Sequence, residues 1–158
     1  KKSNILDLGA APGGWSQYAA KKHQDIRITA IDILKMEDIH NVNFVQMKIE
    51  DFEENFLKNH NFDKIDLVMS DIAPNISGID SADLPAMLNL AEIAAGVAKK
   101  ALKQRGNFLI KLFQGKGTDE FLSDIKLYFE SLKIIKPKAS RSNSKEIYML
   151  ARNFKEIN

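Results

Sequence analysis

Short apolar segments rich in β-branched residues alternate with segments of helical spacing along almost the whole of this 158-residue sequence. Each apolar segment has the length of a strand. Strands that alternate with helices predict an α/β fold whose sheet is mostly parallel and covered by helices on both faces. The last two apolar segments are joined directly by a polar loop, so we expect the last strand to be antiparallel. The predicted strands are residues 4–8, 26–31, 42–46, 64–69, 107–113, 133–135 and 146–152.

Residues typical of helix ends mark where helices begin and end between these strands. Asp83 is typical of an N-cap and Gly106 of a C-terminal stop, which predicts one long helix between them. Thr118 is likewise typical of an N-cap. The predicted helices are residues 15–22, 51–58, 84–102 and 119–129. The length fits a single domain of residues 1–158, and no repeat or linker divides it.

Composition excludes several classes of function. The chain has no cysteine, which excludes disulfides, cysteine-ligated metal clusters and a thiolate nucleophile. Its three histidines lack the spacing of metal ligands, so we expect no metal. No apolar run reaches the roughly 18 residues of a membrane span and no signal peptide is visible, which predicts a cytoplasmic protein. Because strand residues begin almost at Lys1, without an initiating Met, we expect that a segment precedes this sequence.

Charge is unevenly distributed, although the formal net charge is only +2. Residues 36–66 contain eight acidic residues and three lysines, whereas residues 99–152 contain thirteen Lys and Arg and five acidic residues. Residues 131–145 carry five cations and no acidic residue. This basic stretch is typical either of a solvated surface or of a face that binds a polyanion.

Polar and glycine-rich features follow four of the predicted strands. In a doubly wound sheet, ligands bind beyond the carboxyl ends of the strands. The glycine-rich loop at residues 9–14 follows the first strand, and Asp32 and Asp71 follow the second and fourth. Lys111 lies near the end of the fifth strand. We therefore expect these features to form one active site.

The glycine-rich loop and Asp32 together indicate an adenosine-containing ligand. Glycines let the backbone approach a ligand closely, and an acidic residue at the end of the second strand accepts hydrogen bonds from a ribose. The loop departs from G-x-G-x-x-G at the second glycine, which disfavours a pyrophosphate. Asp7 precedes the loop and suits the ammonium group of an amino acid. This combination predicts S-adenosylmethionine as the cofactor.

Residues 7–17 resemble the cofactor motif of the FtsJ family, the heat-shock RNA methyltransferases that methylate ribose 2′-hydroxyls. Further matches follow in order at residues 69–78, 111–115 and 136–148, so the resemblance covers essentially the whole chain. It is greatest to the bacterial enzymes that act on large-subunit ribosomal RNA. The resemblance implies a Rossmann-like methyltransferase fold with a seven-stranded sheet whose last strand is antiparallel. It also implies that the activity depends on S-adenosylmethionine.

The resemblance also implies catalytic roles. The family uses a Lys-Asp-Lys-Glu set, and Asp71, Lys111 and Glu146 match its last three members. Lys111 would be the proton acceptor, and Asp71 would lie near both substrate and cofactor. The chemistry of the residues alone leaves two roles open for Lys111, because a neutral amine is a base and an ammonium stabilises an alkoxide. Lys1 and Lys2 lie too close to the first strand to be the first lysine of the set, so we expect that lysine to be absent from this chain.

Cofactor contacts are implied for Gly13, Trp15, Asp32 and Asp71, although a tryptophan at a helix start is also typical of a core anchor. One position departs from the family, which carries an acidic residue near the adenine where this chain has Lys48. Three substitutes remain open: Glu50, Asp51, or recognition of the adenine by the backbone alone.

The basic stretch leads directly to Glu146, and we expect Lys138, Arg141 and Lys145 to bind RNA phosphates. The resemblance implies that the substrate is a uridine of large-subunit ribosomal RNA in the assembled subunit, and we expect the protein to be a monomer. The alternative hypothesis is a non-catalytic module that binds RNA or an adenosyl ligand.

Overall fold

The computed structural model describes residues 2–60, 64–138 and 144–156, and these form a seven-stranded sheet with helices on both faces. The strands are Ser3–Leu8 (β1), Ile26–Asp32 (β2), Val42–Gln46 (β3), Ile65–Ser70 (β4), Leu102–Phe113 (β5), Phe129–Ile135 (β6) and Glu146–Phe154 (β7). The helices are Gly14–Lys22 (α1), Glu54–Asn59 (α2), Asp80–Ala101 (α3) and Thr118–Tyr128 (α4), with a 3₁₀ turn at Ile49–Asp51.

The strand order β3-β2-β1-β4-β5-β7-β6 confirms the predicted fold. Strands β1 to β5 are parallel to one another, and β7 is antiparallel to both of its neighbours, β5 and β6. The chain adds strands on one side of β1 up to β3 and then returns to add β4 on the other side. Such a change of direction opens a crevice at the carboxyl ends of the two strands on either side of it, here β1 and β4.

Two apolar clusters pack on the two faces of the sheet. The larger cluster joins α3 and α4 to alternate residues of β5, including the buried Phe108, Ile110 and Leu112. The smaller one is centred on Ile5, Ile28 and Met69, and it includes residues of α1 and one residue of the edge strand β3. Because side chains alternate along a strand, Leu109 and Lys111 project from β5 on the face of the smaller cluster. No helix in the described ranges is long and apolar enough to cross a membrane.

Helix α3 begins earlier than its predicted N-cap, Asp83, because that carboxylate acts from within the first turn. Asp83 Oδ1 accepts hydrogen bonds from the backbone and hydroxyl of Ser77, and Oδ2 accepts one from the Gly78 N–H. The side chain therefore fastens the preceding loop to the helix. These hydrogen bonds, with that from the Ser77 hydroxyl foremost, lower the pKa of Asp83.

The prediction that Gly106 ends α3 was wrong. The helix ends at Ala101, and β5 begins at once with Leu102. Gly106 lies inside β5, next to an irregular register between β4 and β5 and after Arg105, which has a positive φ of 64°. A Cβ at Gly106 would lie 2.9 Å from the carbonyl oxygen of Lys103, so glycine is required here by close backbone approach.

Two smaller boundary predictions also shifted. The N-cap of α4 is Gly117, because the Thr118 hydroxyl instead donates to the Phe113 carbonyl and accepts from the Gly115 N–H. The predicted acidic helix divides into the 3₁₀ turn and α2, with Phe52 between them buried in the core.

Candidate active site

A cleft of about 510 Å³ opens at the carboxyl ends of the central strands. Its walls are formed by Gly9 and Ala11 after β1, residues 32–34 after β2, residues 47–50 after β3 and residues 71–73 after β4. The volume lies within the range of small-molecule sites, roughly 300–1,000 Å³. The cleft therefore occupies the crevice that the strand order creates.

The glycine-rich loop owes its shape to two residues with positive φ. Gly9 has φ 69°, and a Cβ there would lie 2.7 Å from Ile72 across the cleft wall. Gly13 has φ 108° and is the N-cap of α1, and a Cβ there would lie 2.6 Å from Ile39. A side chain at either position would force its neighbours apart and strain the backbone. Gly13 therefore allows the conformation of the loop at the start of α1, whereas Gly9 lines the cleft.

Asp32 lines the cleft and organises the loops on both sides of it. Its Oδ2 accepts a hydrogen bond of 2.9 Å from the Ala11 N–H, and its Oδ1 accepts one of 2.8 Å from the Leu34 N–H. The carboxylate is buried at the end of β2, with each oxygen able to accept a further donor. This is the placement expected for a carboxylate that holds a ribose diol.

Asp7 is buried beneath α1 and does not line the cleft, contrary to its expected role toward a ligand ammonium. The Ser16 hydroxyl donates a 2.6 Å hydrogen bond to Asp7 Oδ2, which fastens the first turn of α1 to β1. Burial raises the pKa of Asp7 to about 7, while the hydrogen bond from Ser16 acts against that rise and the charge of Asp71 adds to it. Asp7 is therefore a positioning residue for the loop.

Replacing Asp7 with asparagine should change how stability depends on pH. The pKa of Asp7 is about 7 in the folded chain against an ordinary 3.8, so the folded chain binds more protons than the unfolded chain between these values. Its contribution to the free energy of unfolding is therefore complete below about pH 4 and is lost as pH rises through about 7. Asp7→Asn retains an acceptor for Ser16 and has no such loss.

Thermal unfolding measured from pH 5 to pH 8 checks this prediction. Relative to the unchanged chain, the unfolding midpoint of Asp7→Asn should rise by roughly 5 °C over this interval. Parallel curves of the unfolding midpoint against pH for the two proteins would contradict a raised pKa of Asp7.

The Lys111 ammonium and the Asp71 carboxylate meet beside the cleft. Lys111 Nζ lies 2.6 Å from Asp71 Oδ1, and their side chains are 13% and 36% exposed. β4 and β5 are parallel neighbours, so their carboxyl ends bring the two residues together. Asp71 also lines the cleft, and the ion pair thus connects Lys111 to the ligand site.

Tyr148 is a site residue to which sequence reasoning gave no role. It lies directly opposite Lys111 in the β5–β7 register, and its ring centroid is 5.9 Å from that of Trp15. Burial, and then the charge of Asp71, raises the pKa of Tyr148, so the phenol is neutral. The antiparallel pairing with Lys111 identifies this residue as part of the site.

The remaining predicted residues of this group are placed differently. Glu146 is half-buried and pairs in register with Phe113, so it lies on the same face of β7 as Tyr148 and two register pairs from Lys111. The Trp15 side chain packs against the smaller apolar cluster and Tyr148, and it is not part of the cleft wall. Its contact with the cofactor stays a prediction. Lys2 is exposed at the amino ends of the strands, beside Ile26 and Val42, and so at the opposite end of the strands from Lys111.

The segment after β3 brings two opposite charges into the cleft. Lys48 and Glu50 both line it, on either side of the buried Ile49. Asp51 lies outside the cleft wall. Of the two acidic residues considered as substitutes for the acid that this chain lacks at Lys48, Glu50 is therefore the one in reach of a ligand.

The residues expected to bind RNA phosphates are only partly described by the structure. Lys138 is exposed at the end of the segment that follows β6. Lys145 forms an ion pair with Asp80 at the start of α3. Arg141 lies outside the described residues. Within the described ranges, no group of His, Asp and Glu has the arrangement of a metal site.

Comparison with known proteins agrees with this geometry. Residues 1–154 match the model of the FtsJ-like methyltransferase family. The chain is 45% identical over 157 residues to the ribosomal RNA large subunit methyltransferase E of Stutzerimonas stutzeri, which covers 96% of this chain and 75% of that protein. It is 44% identical to the protein of the same name from Cellvibrio japonicus, with 95% and 72% covered.

Solved structures show the same fold. A Plasmodium falciparum protein assigned as a ribosomal RNA methyltransferase superimposes with a TM-score of 0.86 at 26% identity, covering 98% of this chain and 88% of that one. The human methyltransferase-like protein 13, solved with SAH, superimposes with a TM-score of 0.73 at 14% identity, covering 99% and 74%. The second likeness concerns the fold alone.

Proposed function

This chain belongs to the FtsJ-like methyltransferase family, and from that premise we propose that it transfers a methyl group from S-adenosylmethionine to the ribose 2′-hydroxyl of a uridine in large-subunit ribosomal RNA. The observation that carries the proposal is the Lys111–Asp71 ion pair of 2.6 Å at the edge of the cleft. The two curated relatives named as large-subunit methyltransferases support the choice of RNA.

The residues of the cleft fit an adenosyl cofactor. Asp32 has acceptor capacity for ribose hydroxyls, and the apolar side chains of Ile33, Leu34 and Met47 suit the faces of an adenine. Glu50 supplies an acceptor for the adenine amino group. At Gly9, a Cβ would occupy the space against Ile72, so the loop leaves room that only glycine permits. S-Adenosylmethionine would supply a methyl group on a sulfonium, which is a good leaving group without a metal.

Lys111 and Asp71 would act on the hydroxyl that receives the methyl group. A ribose 2′-hydroxyl is a weak acid, so its oxygen needs either a base or a nearby cation as its proton leaves. A neutral Lys111 Nζ would take the proton, and a protonated one would stabilise the developing alkoxide. In both cases Asp71 holds the Nζ in place, and such positioning contributes a large part of the rate of a displacement. Glu146 lies two register pairs away on the same face of the sheet and would orient the same amine.

We propose that the RNA is bound as part of the assembled large subunit, in the cytoplasm, by a monomeric enzyme that requires no metal. Lys138, Arg141 and Lys145 would contact RNA phosphates, which position a substrate without reading its sequence. Because Lys145 is paired with Asp80, an RNA phosphate would have to compete for it.

Methyl transfer with labelled S-adenosylmethionine tests the proposed function. The acceptors are large subunits, free large-subunit ribosomal RNA and small subunits, and calorimetry compares the binding of S-adenosylmethionine with that of NAD. We expect the protein to bind S-adenosylmethionine and not NAD. We also expect label in large-subunit RNA but not in small subunits. Binding of the cofactor or RNA without transfer to any acceptor would instead favour the non-catalytic module.

Replacing Glu50 with glutamine should weaken cofactor binding about threefold to tenfold, because a hydrogen bond to a charged acceptor contributes more than one to a neutral acceptor. Calorimetric titration with S-adenosylhomocysteine measures the effect. Asp51→Asn is the matched control, since it removes the neighbouring charge outside the cleft wall. Equal affinities for Glu50→Gln and the unchanged chain would indicate that the backbone alone reads the adenine.

Removing Lys138 and Arg141 together should lower RNA affinity roughly tenfold and flatten its dependence on salt. Each lost phosphate contact reduces the slope of log affinity against log salt concentration by about 0.7–0.9. Filter binding at several salt concentrations measures both quantities. The charge-matched control removes Lys100, in the last turn of α3, and Lys103, near the start of β5. An unchanged slope in the variant that lacks Lys138 and Arg141 would exclude these two residues as phosphate contacts.

A further inference from the structure

Tyr148 occupies a position between the reacting amine and the cofactor loop. In the β5–β7 ladder it is the direct partner of Lys111, and side chains of directly paired residues lie on the same face with Cβ atoms roughly 4.5–5.5 Å apart. The charges of Asp71, Lys111 and Glu146 all act on its phenol. Tyr148 is therefore the direct neighbour of Lys111, and it lies on the same face of β7 as Glu146.

The other side of the Tyr148 ring faces α1. Its centroid lies 5.9 Å from that of Trp15, with an angle of 36° between the ring planes. Trp15 belongs to the first turn of α1, directly after the glycine-rich loop, and it packs on the cluster of Ile5, Ile28 and Met69. The tyrosine ring is thus held by a residue that the cofactor loop itself positions.

We propose that Tyr148 is a positioning residue for Lys111, whose ring, braced by Trp15, covers the lysine side chain and limits it to the conformation paired with Asp71. The inference rests on the proposed function, in which Lys111 acts on the 2′-hydroxyl. It adds a residue to the site and assigns the role to the ring, not to the hydroxyl.

Burial explains why Lys111 needs such a neighbour. A lysine side chain has a flexible stem of four carbons, and it loses much conformational freedom when it is fixed in one conformation. Lys111 is nevertheless only 13% exposed, although it lies at the carboxyl end of its strand beside an open cleft. Asp71 pairs with its Nζ, and the directly paired side chain that can cover its stem is Tyr148.

Amine labelling tests the proposal without depending on RNA or on methyl transfer. The protein is treated with a limiting amount of an acylating reagent, and the rates at Lys111 and Lys103 are read by mass spectrometry. In Tyr148→Ala, labelling of Lys111 should be at least fivefold faster than in the unchanged protein, and in Tyr148→Phe it should be within twofold. Lys103, which pairs with Asp66 far along the same strand, should label at the same rate in all three proteins.

Kinetics supply the second measurement. With saturating cofactor and RNA, Tyr148→Ala should lower kcat about tenfold or more with little change in KM for RNA, and Tyr148→Phe should restore kcat to within twofold. The matched control is Leu150→Ala, because Leu150 is the next residue of β7 on the same face but pairs with Leu109. It should lower thermal stability and leave kcat within twofold.

Three results would overturn the proposal. Unchanged labelling of Lys111 in Tyr148→Ala would show that the ring does not cover the lysine. A raised KM for RNA with unchanged kcat would assign the ring to binding of a substrate base. Failure of Tyr148→Phe to restore kcat would assign the role to the hydroxyl. The labelling could change as expected although neither the variants nor the unchanged protein methylates RNA. In that case the contact between Tyr148 and Lys111 stands and the proposed function fails.

Discussion

Replacing Lys111 with alanine should lower the rate of methyl transfer at saturating substrates by about 10³-fold while leaving cofactor affinity within about twofold. A positioned general acid or base contributes typically 10²–10⁴-fold, and Lys111 is the cation that faces Asp71 at the edge of the cleft. The measurement is single-turnover transfer from labelled S-adenosylmethionine, with cofactor affinity determined by calorimetry.

The chain supplies a matched control for this substitution. Lys103 lies on the same strand and forms an ion pair with Asp66 of β4, but at the amino ends of these strands. Lys103→Ala should therefore leave the rate of transfer within about twofold, whatever it does to stability. A Lys111→Ala protein that binds cofactor and retains more than a tenth of the rate would show that Lys111 does not act on the reacting oxygen.

Replacing Asp71 with asparagine should lower the rate of transfer by about 10²-fold. Asparagine keeps the shape of the side chain but cannot balance the Lys111 ammonium, so the amine loses the partner that holds it 2.6 Å away. The substitution leaves the largely buried Lys111 ammonium without the negative charge that balances it. Because Asp71 also lines the cleft, we expect cofactor affinity to fall severalfold.

Asp66→Asn is the corresponding control, since it breaks the ion pair at the other end of the same two strands. It should leave the rate unchanged at saturating substrates. A full rate in Asp71→Asn would show that Lys111 needs no carboxylate to hold it. Equal losses in Asp71→Asn and Asp66→Asn would indicate damage to the sheet and not to the site.

The fold was predictable because its signals are local. Alternating apolar and helical segments predict a mostly parallel sheet, and the polar loop that joins the last two strands without a helix predicts the antiparallel direction of the last one. The same logic brought Asp32, Asp71 and Lys111 to one edge, because parallel strands end on the same side of a sheet. Their grouping around the cleft required no knowledge of individual contacts.

Features that depend on distant partners could not be predicted. Gly106 has the sequence signal of a helix stop, but what requires glycine there is the approach of the Lys103 and Ile65 carbonyls. Nothing near Tyr148 in the sequence indicates that it pairs with Lys111, since the register is set by the whole β5–β7 ladder. Likewise, the pairing of Lys145 with Asp80 joins residues far apart along the chain.

The position of the transferred methyl group tests the central claim most directly. Large-subunit ribosomal RNA labelled by this enzyme is hydrolysed with alkali, which cleaves RNA through the free 2′-hydroxyl and therefore cannot cleave after a 2′-O-methylated nucleotide. Methyl transfer to the ribose predicts label in alkali-resistant dinucleotides, and its loss in Lys111→Ala. Label in mononucleotides would show methylation of a base and would contradict the assignment of Lys111 and Asp71 to a ribose hydroxyl.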